Sequence, residues 1–273
     1  MDVVDYVGVV AFFYWIAGLI LVGCSLVLGK VRAIVSYGKH ARGWVASKQP
    51  PAIVHSLLIR GTVPNKVAWT SFYAIGLVIN SVLIREYFYL KDMNLRSLST
   101  SIMFEIHVAR RLIECIYVHV FTPRYLPLFH YAAAVSFYFF APLTPFLDAL
   151  LYPAVPSPSQ VAAAAILFSA ASLMQCFVHI RLAESRALGG SKYGVPRGGL
   201  FELVASPHYT AEIVMYTAFL IASNGLGFFA FLNWLWVFGN LAQSALETNA
   251  WYKRTFVKSM LPPRRKALIP HIL

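Results

Sequence analysis

The chain has 273 residues, of which 59% are hydrophobic and only 12% are charged. Soluble domains carry about 25% charged residues, so this composition excludes an ordinary soluble protein and predicts an integral membrane protein. Lysine and arginine number 23 against 11 aspartates and glutamates, which gives a formal net charge of +12.

Apolar segments of membrane-spanning length recur along the chain. A transmembrane helix needs about 20 consecutive apolar residues, and seven segments approach that length. They are Tyr6–Leu28, Val67–Leu90, Ile102–Thr122, Leu128–Leu151, Val161–Leu182, Val204–Ala222 and Leu226–Leu246. Continuous apolar runs are typical of helices and not of the alternating strands of a β-barrel. The sequence therefore predicts an all-α integral membrane bundle of about seven transmembrane helices.

Basic residues are concentrated in alternate loops, namely the loops after the first and fifth segments and the C-terminal tail. The loops at 91–100, 152–160 and 223–225 carry little or no net positive charge. Cytosolic loops are enriched in lysine and arginine, so this pattern predicts a lumenal N-terminus and a cytosolic C-terminus. The basic excess is then explained by topology and by anionic lipid, and nucleic-acid binding is not expected.

The third segment contains ionisable residues within an apolar run. A charge at the centre of a bilayer costs about 2.5 to 3.5 kcal/mol on insertion scales, so charges there are expected to pair or to face a polar cavity. His107, Arg111 and Glu114 lie at i, i+4 and i+7, which places them on one helical face. These three are the candidate catalytic residues, although an ion-pair network with a purely structural role would have the same spacing.

Polar residues recur at helical spacing in three later segments. They are Gln175, His179 and Arg186 in the fifth, His208 and Glu212 in the sixth, and Asn233, Asn240, Ser244, Glu247 and Trp251 in the last. A single polar stripe usually makes hydrogen bonds between helices. Together with the third segment there are four stripes, which favours a buried cavity for a long anionic ligand.

The glycine-rich loop from Gly189 to Gly199 also contains arginine and lysine, a composition that suits phosphate binding but equally a plain connector. Neither a Rossmann glycine motif nor a P-loop occurs. The three cysteines have neither metal-ligand spacing nor a disulfide framework, so no metal site is expected.

Four stretches carry a resemblance to a known family. They are Val63–Tyr73, Arg110–Val118, Leu200–Glu212, and the tail formed by Trp251–Phe256 and Arg265–Pro270. In this order they resemble the steroid 5α-reductase family, and within it the branch that reduces polyprenols. The resemblance extends from about residue 60 to the C-terminus.

The resemblance implies a reductase of the endoplasmic reticulum membrane that saturates a carbon-carbon double bond with NADPH. It divides the chain into the first transmembrane helix with its basic loop, residues 1–60, and a helical catalytic region, residues 61–273, within one structural domain. The residues that the resemblance implies to bind the cofactor are Arg186, Tyr193, His208, Glu212, Asn240 and Tyr252. The positive charges of Arg265 and Lys266 could hold the phosphates of the same cofactor.

Hydride addition to a carbon-carbon double bond needs an oxygen that takes up the developing negative charge. A free allylic alcohol has no such oxygen, so we expect the substrate to be polyprenal, with a dolichol-type carrier for N-glycosylation as the eventual product. The face of His107, Arg111 and Glu114 would polarise the aldehyde, while the polyisoprenoid tail enters from the bilayer. Alternatives are a steroid or 2-enoyl-CoA reductase of the same family, and a non-enzymatic lipid transporter or binding protein.

Overall fold

The structure is a computed structural model, and it describes residues 3–28, 61–89, 98–152, 155–188, 194–223, 227–270 and 272. Tyr193, the glycines at 189–190 and most of the basic loop before residue 61 lie outside the described residues. The proposed division at residue 60 therefore stays a prediction.

Eight α-helices make up most of the described chain. In order they are α1 (Val3–Val27), α2 (Asn65–Tyr89), α3 (Ser99–Tyr117), α4 (Leu128–Phe140), α5 (Leu143–Leu151), α6 (Pro158–Leu188), α7 (Pro207–Ala222) and α8 (Phe228–Thr255). A short 3₁₀ turn at Gly199–Glu202 lies between α6 and α7, and another at Lys258–Met260 follows α8. Each predicted apolar segment coincides with helix, and the prediction of an all-α membrane protein is confirmed at this level.

Within the described residues, four segments are long and apolar enough to cross a bilayer by length and composition: Val3–Val27, Asn65–Tyr89, Leu128–Leu151 and Pro158–Ala187. The third of these comprises α4 and α5, which are separated at Ala141 and Pro142. Proline lacks the backbone N–H that would continue the helix, which explains the break. The predicted span from Leu128 to Leu151 keeps its bounds, and the break within it was not predicted.

Helix α3 ends five residues earlier than predicted, at Tyr117. The N–H of Val118 closes its last turn on the carbonyl of Glu114 at 2.9 Å. The chain then leaves the helix, six residues before Pro123. His119 consequently lies beyond the helix.

Two three-residue strands were not predicted. β1 (Thr62–Pro64) pairs antiparallel with β2 (Tyr125–Pro127), with Val63 opposite Leu126. Because α2 follows β1 directly and α4 follows β2 directly, the strand pair joins the starts of these two helices. Strands this short have too few residues to show an alternating pattern in sequence.

Helices α1 and α8 pack at close range through small residues. A Cβ atom on Gly18 would lie 2.7 Å from the Trp236 side chain, and one on Gly239 would lie 2.8 Å from Val22. Small residues allow helix backbones to approach in this way in membrane proteins. Beside this contact, the rings of Phe137 and Trp236 stack with centroids 4.7 Å apart.

The C-terminal tail returns to the start of α7. The N–H of Lys266 donates to the Leu203 carbonyl and the N–H of Ala205 donates to the Lys266 carbonyl, both at 2.8 Å. Thr210 Oγ1 donates to the carbonyl of Leu268 at 2.7 Å, and Leu268 itself is fully buried. These contacts fix the tail beside the N-terminus of α7, which brings Arg265 within reach of that helix.

Candidate active site

Arg111 of α3 lies at the centre of a buried polar cluster. Its Nε and Nη2 atoms donate to the hydroxyl oxygen of Tyr73 on α2, at 3.2 and 3.0 Å. Its Nη1 donates to Glu114 Oε2, one turn further along α3. The arginine side chain therefore joins α2 to α3 through a phenol on one side and a carboxylate on the other.

Glu114 is buried and is surrounded by positive or hydrogen-bonding groups. Besides Arg111, its carboxylate accepts a hydrogen bond from Arg110 Nη1. Its Oε2 atom also lies 2.7 Å from Nδ1 of His179 on α6. A buried carboxylate is tolerated when it is paired and hydrogen-bonded, as Glu114 is here. The spacing pattern of α3 thus corresponds to a network that extends to α6.

His107 connects α3 to α7. Its Nε2 atom lies 3.1 Å from Glu212 Oε1, and its Nδ1 atom lies 3.4 Å from Arg110 Nη2. Gln175 of α6 donates to Glu212 Oε2 and accepts from Arg110, so the amide bridges the two ion pairs. The three predicted catalytic residues and Glu212 therefore belong to one continuous cluster.

Tyr73 is the member of this cluster that sequence analysis missed. It is 3% exposed, and its ring lies 5.0 Å from the guanidinium carbon of Arg111. Its only sequence signal was its place at the end of the Val63–Tyr73 stretch, because a tyrosine in an apolar helix is ordinarily a packing residue.

Glu114, His119 and His179 have potential metal-ligand atoms that all lie within 4.8 Å of one another. Arg111 Nη1 contacts the same three residues, at 2.7 Å from His179 Nδ1 and 3.4 Å from His119 Nε2, and it donates to Glu114. The guanidinium thus lies among the ligand atoms where a cation would have to bind. The expectation that the chain holds no metal stays a prediction.

A second candidate region lies at the C-terminal tail. Arg265 is 7% exposed, and its guanidinium carbon lies 4.5 Å from the centre of the Tyr252 ring. Its Nη1 and Nη2 atoms have no hydrogen-bond partner within the described part of the chain. Burial lowers the pKa of Arg265 from its usual value, but arginine remains protonated in proteins. The site therefore holds a buried positive charge with free donors.

Ser206 adds a second donor in the same region. It precedes Pro207, the first residue of α7, and its hydroxyl is fully buried without a partner among the described residues. Ser206 and Arg265 are the chain neighbours of Ala205 and Lys266, whose backbones are hydrogen-bonded, so the two residues belong to adjacent segments. A helix N-terminus, a hydroxyl and a guanidinium together suit a phosphate group. These residues fit the anionic part of a nicotinamide dinucleotide.

The other residues predicted to bind the cofactor are distributed around these two regions. Arg186 Nη1 donates to the carbonyl of Val120 at 3.1 Å, just beyond α3. The carbonyl of His208 accepts from Gln175 at 3.1 Å, which places this residue at the edge of the buried cluster. Asn240 is half-buried on α8, and the side chain of Lys266 is exposed. Glu212 lies in the cluster with His107 and not beside Arg265.

A small cavity lies beside His107. The rings of Phe104, Tyr216 and Phe219 line it, and each has its centroid 6.4 to 6.5 Å from that of His107. Asn233 of α8 also lines it, with a buried Oδ1 atom that lacks a hydrogen-bond partner among the described residues. The cavity thus offers an apolar wall with one free amide oxygen.

A charged cluster inside an apolar helical bundle, with buried donors left unpartnered at the C-terminal tail, fits a membrane-embedded enzyme that takes an anionic ligand. Residues 124–273 match the model of the 3-oxo-5-alpha-steroid 4-dehydrogenase family, and the chain belongs to this family. The family resemblance predicted from the sequence is thereby confirmed, and with it a reductase that acts on CH–CH groups.

Individual relatives extend the similarity over nearly the whole chain. The polyprenal reductase of Caenorhabditis elegans is 30% identical, with 92% of this chain and 90% of that protein aligned. The polyprenal reductase of Saccharomyces cerevisiae is 32% identical over the same shares. The very-long-chain enoyl-CoA reductase of Dictyostelium discoideum is 29% identical over 63% of this chain and 57% of that protein.

Proposed function

We propose that this protein is a polyprenal reductase that uses NADPH to saturate the α-isoprene double bond in dolichol synthesis. The observation that carries the proposal is the polar cluster of His107, Arg111 and Glu114 within an apolar helical bundle. Such a cluster offers a polar reaction site to a substrate that is otherwise hydrocarbon. Similarity to two polyprenal reductases over about nine-tenths of each chain supports the choice of substrate.

The chemistry requires a carbonyl group. A bound NADPH supplies the hydride, whose two electrons form a new C–H bond at the β-carbon of the enal. The former π electrons then pass through the α-carbon to the aldehyde oxygen, and one proton at the α-carbon restores the aldehyde. The polar face of α3 stabilises the negative oxygen in surroundings from which water is largely excluded, where such stabilisation is strongest.

The cofactor would extend from this cluster to the tail. Arg265 and the buried hydroxyl of Ser206 would bind a phosphate group, since both present donors without partners. The charge of Arg265 favours NADPH over NADH if that group is the 2′-phosphate. Arg186, Tyr193, His208 and Asn240 are proposed to line the path between the two regions, and the exposed Lys266 would add positive charge at its entrance.

We further propose seven membrane crossings in the endoplasmic reticulum, with a lumenal N-terminus and a cytosolic C-terminus. The alternation of basic and neutral loops supports this orientation. It would put the tail and Arg265 on the side where cytosolic NADPH is available. The outer faces of the helices carry exposed apolar side chains, such as Phe13 and Ile166. These faces suit contact with lipid and lateral entry of the isoprenoid.

The test is NADPH oxidation by the detergent-purified protein with polyprenal, polyprenol, an enone steroid and a 2-enoyl-CoA in parallel. We expect polyprenal to be consumed and the product to contain two additional hydrogens by mass spectrometry. Reduction of polyprenol but not polyprenal would contradict the aldehyde mechanism. Turnover of enoyl-CoA alone would favour the second candidate, which the similarity to the Dictyostelium enzyme supports.

A further inference from the structure

Glu105 of α3 is a carboxylate that the candidate active site does not use. Its Oε2 atom accepts a hydrogen bond from Asn80 Nδ2 of α2 at 2.7 Å, and its Oε1 atom accepts one from the Ser81 hydroxyl. Both donors are neutral, and no lysine, arginine or histidine of the described residues forms an ion pair with it. Glu105 therefore has hydrogen bonds but no counter-charge among these residues.

The side chains around Glu105 form an apolar surface. Val78 and Val82 of α2 are 62% and 46% exposed, and Ile102 and Ile106 of α3 are 43% and 52% exposed. These four side chains and Glu105 form the α2–α3 face. Helix α2 is long and apolar enough to span a bilayer, so a single copy would turn this face toward lipid. A carboxylate is costly there unless it is paired.

Asn80 fixes the carboxylate in place. Its side chain is fully buried, and its Nδ2 atom donates to the Ser101 carbonyl at 2.9 Å as well as to Glu105. Ser81, the next residue of α2, is exposed. The carboxylate thus bridges a buried amide and a surface hydroxyl, which holds it at the edge of the bundle. It can accept further hydrogen bonds there, because an ionised carboxylate has about four acceptor positions.

Arg85 has the complementary charge on the same side of α2. It lies four residues after Ser81, and residues at this spacing share a helical face. The Arg85 side chain is 67% exposed, and its ion pair is with its chain neighbour Glu86 at 2.8 Å. Such an exposed pair contributes little, so Arg85 is available to a stronger partner.

Arg85 and Glu105 lie at similar depth. Helices α2 and α3 run antiparallel, as two contacts between them show: Asn80 with Ser101 and Tyr73 with Arg111. Arg85 lies about 6 Å before the end of α2 and Glu105 about 9 Å after the start of α3. Side chains lean toward the N-terminus of their own helix, so these two lean toward a common depth.

We propose that the α2–α3 face binds the same face of a second copy of this chain, with Arg85 of each copy paired to Glu105 of the other. Both copies insert in the same direction, so a two-fold axis along the membrane normal relates them and residues of similar depth meet. The interface is self-complementary, since each copy contributes one cation and one carboxylate. The second copy completes the site, because it gives Glu105 its counter-charge.

The test uses charge reversal in two chains. Arg85→Glu and Glu105→Arg each place like charges opposite one another when both copies carry the same substitution. A mixed pair, with one Arg85→Glu chain and one Glu105→Arg chain, has opposite charges at both contacts. Mixing can restore only a contact between copies, because a contact within one chain is broken in either variant.

The readout is resonance energy transfer between donor-tagged and acceptor-tagged full chains in native membranes at matched expression. We expect transfer between wild-type copies and a fall of about tenfold for either variant alone, because like charges repel across an interface. The mixed pair should recover. Arg181→Glu on α6 is the matched control and should leave transfer unchanged, because Arg181 is 72% exposed and is likewise paired with a nearby glutamate, Glu184.

Transfer between wild-type copies no greater than that of an unrelated membrane protein would overturn the proposal. So would wild-type transfer in both single variants, an equal fall with Arg181→Glu, or no recovery in the mixed pair.

Glu105→Gln covers the case in which Glu105→Arg does not fold, as judged by thermal unfolding. It keeps the shape of the side chain and removes the charge, so transfer should fall, and undiminished transfer would overturn the proposal. The assay needs no substrate, so its outcome is independent of the proposed function.

Discussion

The guanidinium of Arg265 lies over the ring of Tyr252, with 4.5 Å between the guanidinium carbon and the ring centre. The contact holds a buried cation against the last turns of α8 while its two terminal nitrogens stay free of hydrogen bonds within the described chain. A cation–π contact offsets part of the cost of burying the charge. A bound phosphate would offset the rest.

Replacement of Arg265 by alanine should therefore weaken NADPH binding. Hydrogen bonds to charged groups contribute about 1.5 to 3 kcal/mol, and about 1.4 kcal/mol is a tenfold change in affinity. We expect KM for NADPH to rise about 10- to 100-fold on this basis. Arg254→Ala is the matched control, because Arg254 is an exposed arginine near the end of α8, the helix that carries Tyr252.

The assay is an initial-rate titration of NADPH and of NADH at a saturating polyprenal concentration. A loss confined to NADPH would assign Arg265 to the 2′-phosphate, while equal losses would assign it to the diphosphate. An unchanged KM for both cofactors would contradict the phosphate site.

Glu202 provides a pH-dependent contact outside the membrane helices. The N–H of Gly198 donates to its carboxylate at 2.8 Å and Arg197 Nε donates at 2.9 Å, and these bonds lower the pKa of Glu202 below its usual value. The folded state thus prefers the charged form. The contribution of Glu202 to the free energy of unfolding is fully present above the pKa of the unfolded state, about 4.3. It is lost as the pH falls through the lower pKa of the folded state.

We therefore expect Glu202→Gln to lower the unfolding temperature at neutral pH and to reduce its fall on acidification. The curves of variant and wild type should converge at acid pH, where both side chains are uncharged. The effect should be small and should shrink in high salt, because the pair is exposed. Parallel curves down to about pH 3 would contradict the lowered pKa.

The sequence predicted the helices and the polar face of α3 because both arise from strong physical constraints. Long apolar runs have few alternatives to a membrane helix. Charges as costly as those of Arg111 and Glu114 must turn toward partners, and helical spacing identified their common face. The structure added the partners on other helices, such as His179, because spacing within one helix does not specify its neighbour.

Other features depend on contacts that sequence does not encode locally. Tyr73 differs from a packing tyrosine only through the arginine on the next helix. Glu212, which the family resemblance implies for the cofactor, lies against His107. The break at Pro142 and the end of α3 at Tyr117 were missed because apolar character continues across both points. Local hydropathy measures affinity for lipid and does not measure the continuity of backbone hydrogen bonds.

Asp148 of α5 caps the start of α8. Its Oδ1 atom accepts from the N–H of Phe229 at 2.9 Å, and its Oδ2 atom accepts from the N–H of Ala230 at 2.8 Å. Asp148→Ala would leave two buried N–H groups without acceptors, at about 1 to 3 kcal/mol each. We expect a lower unfolding temperature with KM for NADPH unchanged. Asp148→Asn keeps one acceptor oxygen and should be intermediate, so equal effects of the two substitutions would contradict a capping role.

Glu114 should matter more for stability than any surface carboxylate. It accepts hydrogen bonds from Arg110 and Arg111 and contacts His179, all within the bundle. Glu114→Gln would leave two arginine charges with no anion at that position. Removing one partner from a buried ion pair costs about 3 to 5 kcal/mol, so we expect a clear fall in unfolding temperature and loss of polyprenal turnover.

Glu184→Gln is the matched control for this substitution. Glu184 is exposed and lies 3.5 Å from Arg181 on α6, and such surface pairs contribute about 0 to 1 kcal/mol. Thermal unfolding of both variants in the same detergent, followed by tryptophan fluorescence, gives the comparison. If Glu114→Gln unfolds at the same temperature as Glu184→Gln, the buried charges must be compensated by other groups. In that case the cluster of His107, Arg111 and Glu114 would not depend on its ion pairs for stability.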